Sequence, residues 1–242
     1  MTGDGVSEGP SGSVWSIAWP LLRLGIGRWR RRDPWHAVRG NVPLAFFGVG
    51  CRREFEWYLG GPSAVRVQSV AQLCVWLAGC AVARDDEHFG APDVWQHPAH
   101  FEERRRGDCE DHALWAWRKL LELGHQAEFV SGEWTPPGAP ASELHGWVVF
   151  TAGGERFVLE AVAGDADRMV RPLAEARREY VPHFSVDHQL RRWVHAGLVD
   201  WMARGWLTRG RRAPGRASRG ASGRHVARAS LPPRSRDAGV RS

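Results

Sequence analysis

The stretch from Arg104 to Leu123, R-R-R-G-D-C-E-D-H-A-L-W-A-W-R-K-L-L-E-L, constrains the rest of the chain more than any other. Leu114, Trp117, Leu120 and Leu121 recur at three- and four-residue steps, and Gly124 follows where a helix would stop. That spacing predicts an amphipathic helix. Asp108 is a good N-cap residue, and Asp111 three positions later can reach back as an acidic variant of a capping box. Cys109 therefore falls in the first helical turn, where unpaired backbone N–H groups and the macrodipole favour a thiolate. Asp108, Glu110 and Asp111 oppose that effect. A cysteine set among three acids at a helix start is a candidate nucleophile.

The layer behind such a helix is legible downstream. Ala127 to Val130 reads as a strand, and H-G-W-V-V-F, Gly153-Gly154 and R-F-V-L-E-A-V read as a β-hairpin. With the two glycines as the loop, Trp147 pairs with Glu160 and His145 with Val162. His145 and Glu160 then share a face as diagonal neighbours about 7–8 Å apart, and a one-residue slip would separate them. Cys109, His145 and Glu160 form a nucleophile, base and orienter set, with Glu143 and Asp165 as rivals for the third place. The Cys109 backbone N–H can supply one oxyanion donor, and Trp95 or Gln96 is considered for the second. His112 gives a C-x-x-H spacing without a second pair, which does not make a zinc site.

Composition decides which other readings survive. The formal charge is +6, but Arg209 to Ser242 holds ten arginines against one aspartate, so the basicity belongs to the tail and the rest is mildly acidic. That tail, lacking aromatics, is expected to be disordered and to bind anionic surfaces non-specifically, with no specific nucleic-acid recognition. Cys51, Cys74, Cys80 and Cys109 form no C-x-x-C pair; the first three are read as small buried hydrophobes in a chain of reduced thiols. Asp4 and Glu8 replace the positive start of a signal peptide, and Pro20 and Arg23 interrupt the apolar run from Val14 to Ile26. The expectation is a cytoplasmic protein without a transmembrane segment.

In chain order, residues 1–60 are expected to flank the domain, with 1–12 disordered and the remainder a lid or flank of short helices and loops. Residues 61–207 form the domain and 208–242 the Arg/Gly/Ser/Pro tail. Pro62 is placed at a helix start, with Val67, Val70, Ala71, Cys74, Val75, Ala78 and Val82 as its apolar stripe. Helices are also expected over Pro172–Arg178 and from His188 to Trp206, with a strand over Y-V-P-H-F-S-V-D between them. His97, His100, His183 and His188 are read as surface residues.

The segments D-V-W-Q-H-P, G-D-C-E-D-H-A-L, L-H-G-W-V-V-F and F-V-L-E together resemble the bacterial transglutaminase-like cysteine proteinases, over roughly Val70 to Asp187. The resemblance implies an α+β fold with a papain-like, transglutaminase-like core: a nucleophile-bearing helix packed on an antiparallel sheet, and a helical N-terminal region. It also implies a triad falling on Cys109, His145 and Glu160, and hydrolysis of a peptide bond in a protein or peptide substrate. The family's third member is usually Asp, and here it is Glu160, one methylene longer. Adhesin-cleaving members bind calcium through acids beside the cysteine, which makes Asp108, Glu110 and Asp111 candidate calcium ligands, with no cofactor otherwise required. Two alternatives stay open: transfer to an amine instead of water, and a degenerate cleft that binds without turnover.

Overall fold

The computed structural model describes residues 32–210, with side chains through residue 204. The expectations for residues 1–12, for Val14–Ile26 and for the arginine-rich tail beyond Gly210 lie outside the described residues. The elements are β1 (Ala37–Arg39), α1 (Phe55–Leu59), α2 (Val70–Ala78), β2 (Ala81–Val82), α3 (Asp85–His88), α4 (Pro98–Arg104), β3 (Arg106–Gly107) and α5 (Cys109–Glu122). There follow β4 (Gln126–Trp134), β5 (Glu143–Ala152), β6 (Glu155–Leu159), β7 (Val170–Pro172), α6 (Leu173–Ala176), β8 (Tyr180–Val186), β9 (Arg192–His195) and α7 (Ala196–Gly210).

Seven strands form one antiparallel sheet in the order β1-β9-β8-β4-β5-β6-β7. With α5 packed on it, the architecture is α+β. Gly153 and Gly154 take φ of 59° and 83°, the two left-handed positions of a type I′ turn. They fix the register Val148↔Leu159 through Ala152↔Glu155, the one expected from the sequence.

Alternation along the strands sorts the two faces. Ala127, Phe129, Val148 and Phe150 join Ala113, Leu114, Trp117 and Leu120 of α5 in the main core. Val130, Trp147, Val149 and Val158 face the other way, against Ala176 and Tyr180. Every residue of α5 from Asp111 to Leu120 is buried, because α1, α2 and α4 cover its remaining sides. Lys119, the chain's single lysine, is tolerated there because its ammonium meets Glu102 at 3.2 Å, Glu122 at 2.9 Å and the Val65 carbonyl at 2.7 Å.

Several local expectations are corrected. The described residues before 60 are built into the domain instead of flanking it: β1 pairs with β9, and Phe47, Cys51, Phe55 and Tyr58 sit in the main core. The helix assigned to Pro62 begins after the Ser69 cap, whose hydroxyl accepts from the Gln72 N–H. Its buried residues are Leu73, Cys74 and Leu77, while Val75 is exposed, so of the expected stripe only Cys74 is buried. The segment from Pro172 splits into the end of β7 and the four-residue α6, and His188–Trp206 splits into β9 and α7. His97 and His183 are buried, not surface residues. Cys51 and Cys74 are buried as expected and unpaired. Among the described residues no helix is long and apolar enough to cross a membrane.

Candidate active site

Cys109 is the first residue of α5, and it lines one cleft together with His145 and Gly146 of β5. A Cβ added at Gly146 would lie 3.4 Å from the Glu110 Cα and 3.6 Å from the Phe129 ring. The glycine thus lets the helix start settle directly against β5, beside the histidine. The other side of the imidazole is walled by Trp134, stacked on it at 4.7 Å.

His145 and Glu160 meet as the hairpin register requires. The imidazole Nε2 lies 2.9 Å from each Glu160 oxygen, with both residues buried. Glu160 also accepts from the Tyr180 hydroxyl at 2.9 Å and from the Val162 N–H at 3.4 Å. The extra methylene of glutamate is thus taken up by a carboxylate held from three directions. Burial and the Glu160 charge push the Tyr180 phenol well above its usual range, so it acts only as a donor. Neither rival, Glu143 nor Asp165, is hydrogen-bonded to His145; Asp165 accepts instead from the Asp167 N–H at 3.1 Å. With Nε2 committed to Glu160, Nδ1 is the ring nitrogen left to exchange a proton with a thiol.

The surroundings of Cys109, the candidate nucleophile, depart from the helix-dipole expectation. Burial, followed by the charges of Glu110 and Asp108, raises the Cys109 thiol well above its ordinary pKa, and its Sγ donates to Glu110 Oε2 at 3.1 Å. Helix-terminus polarity is outweighed by desolvation and two adjacent carboxylates. The capping box is also corrected: the Asp108 side chain makes no capping hydrogen bond. Asp111 turns away instead, accepting from the Gln96 backbone N–H at 2.7 Å and from the Gln96 amide.

That engagement separates the two residues considered for the oxyanion. Gln96 donates to Asp111 and to the Arg106 carbonyl at 3.0 Å, so its amide is committed. Trp95 Nε1 is buried without a hydrogen-bond partner, and the residue lines the Cys109 cleft. A buried N–H left unpaired is a donor in waiting.

A second feature adjoins the thiol. Oxygens of Asp85, Asp93 and Glu110, and of Asp85, Asp108 and Asp111, lie within 4.8 Å of one another. Asp85 Oδ1, Asp93 Oδ1 and Asp108 Oδ1 are buried without partners. Packed without a counter-charge, the carboxyls are driven upward, chiefly by burial: Asp108 to about 6, Asp111 to about 8 and Glu110 well above its usual range. Clustered carboxylates with orphaned oxygens are the donor set of a hard cation such as calcium. Asp108, Glu110 and Asp111 were singled out in the sequence, whereas Asp85 and Asp93 were passed over. Their signal was the acidic turn R-D-D-E-H-F-G-A-P-D leading into Trp95.

No protein-family model matches the chain, and no curated protein does. Among solved structures, it is similar to LapG of Legionella pneumophila. The TM-score is 0.41 at 18% identity, over 59% of this chain and 76% of that one. Calcium-bound LapG gives 0.40 at 19% identity, over 52% and 66%. A Cytophaga hutchinsonii protein described as a candidate cysteine protease gives 0.33 at 15%, over 49% and 39%.

Proposed function

We propose that the chain is a transglutaminase-like cysteine hydrolase that cleaves an amide bond in a protein or peptide through a Cys109 thioester. The observation that carries this reading is the two-oxygen clasp of Glu160 on His145 Nε2 in the cleft that holds Cys109. Glu160 fixes the tautomer with the proton on Nε2, so Nδ1 takes the thiol proton as Sγ attacks the carbonyl carbon. The tetrahedral oxyanion is met by the Cys109 backbone N–H and Trp95 Nε1. As the C–N bond breaks, the imidazolium returns its proton to the leaving amine, leaving the acyl group on sulfur. Water then attacks the thioester, giving its proton to His145, and the proton returns to sulfur as the carboxylic product leaves.

Asp85, Asp93, Asp108, Glu110 and Asp111 are the residues that would hold a calcium ion. Such an ion supplies positive charge that neutralises the carboxylates crowding Cys109. A second reading, a cleft that binds without turnover, is favoured by one observation, the hydrogen bond from Cys109 Sγ to Glu110 Oε2 at 3.1 Å.

Alkylation of each cysteine across pH, with calcium or with EGTA, separates the two. Fast reaction at Cys109 alone below pH 7 in calcium, lost in His145→Ala, supports the hydrolase. Reaction no faster than at Cys51, which burial pushes up to about 12, in either condition supports the binding cleft.

A further inference from the structure

The cleft that holds Cys109 has a volume of about 600 Å³, within the range of sites that enclose a ligand. Its walls are unusual for this protein. Nine large hydrophobic side chains are exposed among the described residues, and five of them, Phe46, Val49, Leu144, Trp201 and Met202, line this cleft. Isolated exposed hydrophobes are ordinary on a protein surface, but their convergence on one concavity marks a contact site.

The placement relative to the chemistry is specific. Leu144 is 66% exposed and immediately precedes His145. Trp201, 42% exposed on α7, lies with its ring 5.3 Å from that of His183. Across the cleft Phe46 and Val49 flank Gly48, where an added Cβ would come within 3.0 Å of Trp95 Nε1. The apolar surface is therefore continuous with the nucleophile, the base and the unpaired indole donor. Among the described lining residues the carboxylates are Asp93 and Glu110, and neither arginine nor lysine is present. That balance disfavours an acidic side chain and gives a basic one no partner beyond the cation cluster.

We infer that the cleft selects peptide segments carrying a bulky apolar side chain, of the Leu, Met or Phe class, beside the scissile bond, with Leu144 and Trp201 as specificity-determining residues. The inference rests on the hydrolase reading of Cys109. Burying such a side chain against Trp201 and Leu144 gains transition-state binding that a small side chain does not, and the discrimination expected from apolar contact of this size is about tenfold or more.

The test uses the full-length protein, a mixed peptide pool read by mass spectrometry, and matched fluorescein-labelled peptides that differ only by Leu or Ala at the cleaved position. Cleavage sites enriched in Leu, Met and Phe are expected. Trp201→Ala should lower the Leu-to-Ala ratio of kcat/KM about tenfold. Leu144→Ala, at a more exposed position that supports no core packing, should lower it in the same sense. Cys109→Ala protein, by fluorescence anisotropy, should still bind the Leu peptide more tightly than the Ala peptide. Cys109-dependent cleavage with no apolar preference would overturn the inference and leave the hydrolase standing. Apolar-selective binding without any Cys109-dependent cleavage would support the cleft assignment and remove the hydrolase instead. If Trp201→Ala turns a dimer into a monomer with peptide selectivity unchanged, the patch belongs to a second copy of the chain, and the inference fails.

Discussion

Two histidines line the same cleft, each with a buried carboxylate behind it, and the two pairs are built differently. His145 on β5 is clasped at 2.9 Å by both oxygens of Glu160, itself held by Tyr180. His183 on β8 stands 3.7 Å from Glu133 Oε2, and its Nε2 has no hydrogen-bond partner. Glu133 is already occupied, accepting from Ser142 Oγ at 2.8 Å and from the Arg204 guanidinium. The sheet explains how His183 reaches the cleft at all. Ser131 pairs with Phe184 and Gly132 with Pro182, so His183 is the extra residue of a β-bulge, a device that re-aims a side chain. Burial alone thus brings an imidazole to the site, but a carboxylate free of other cations is what fixes its tautomer. Of the two, the first pair is the one that fits the proposed proton transfer.

The largest effects should follow from dismantling the first pair. Cys109→Ala and His145→Ala are each expected to lower kcat by about 10⁴-fold, as the loss of a triad member does. Both should retain the wild-type circular dichroism spectrum. Glu160→Gln keeps the shape but loses the charge that supports an imidazolium, and a loss of about 10²–10³-fold in kcat is expected. Tyr180→Phe removes one of three donors to Glu160, which should cost about tenfold or less. Turnover in Glu160→Gln equal to wild type would erase the distinction between the pairs. His183→Asn, by contrast, should stay within about threefold in kcat and leave the pH–rate profile in place. A collapse of kcat in that variant would show that the proton carrier had been assigned to the wrong histidine.

How much of this was legible in the sequence follows from the range of the interactions. The two-glycine turn propagates its register residue by residue, so the meeting of His145 and Glu160 could be read from a local signal. The start of α5 at Cys109 was likewise local. The bulge that turns His183 inward was not, because it depends on how β8 packs beside β4, fifty residues earlier in the chain. The raised pKa of Cys109 was only half legible: the acids beside it stand in the sequence, whereas the burial that dominates the shift comes with the packing of α5 against β5. Asp85 and Asp93 likewise reach Glu110 and Asp108 only through the folding of α3 and the loop that follows it. Asp111 shows the same limit: its spacing fits a capping box, but a tertiary partner, Gln96, outcompetes the local one.

The smallest effect expected is one on stability, and it bears on the second pair. Burial, with Glu133 pulling up and Arg204 pulling down, sets the folded pKa of His183 to about 4. His195, hydrogen-bonded to Ser185 Oγ at 2.9 Å, is buried to the same end at about 3. In the unfolded chain each imidazole titrates near its ordinary value of about 6.5. Between that value and the folded one, the unfolded chain binds protons that the folded chain refuses, so stability rises with pH and falls on acidification. The stability is fully present above about 6.5 and is drained from there downward, at a rate on the order of 1 kcal/mol per pH unit for each histidine. Urea titrations at intervals from pH 7.5 to 5 should therefore show, at an unchanged m-value, a wild-type midpoint that falls relative to that of His183→Asn; the raised carboxyls of Asp108, Glu110 and Asp111 work in the opposite sense in both proteins and cancel in the comparison. The gap in free energy should open below about pH 6.5 at a rate on the order of 1 kcal/mol per pH unit, because asparagine keeps a polar side chain beside Glu133 but binds no proton, while His112 and His195 act equally in both proteins. The same pH dependence in His183→Asn as in wild type would mean that the re-aimed histidine takes up its proton in the folded state after all. It would then be a second proton carrier in the cleft, and the contrast with His145 would close.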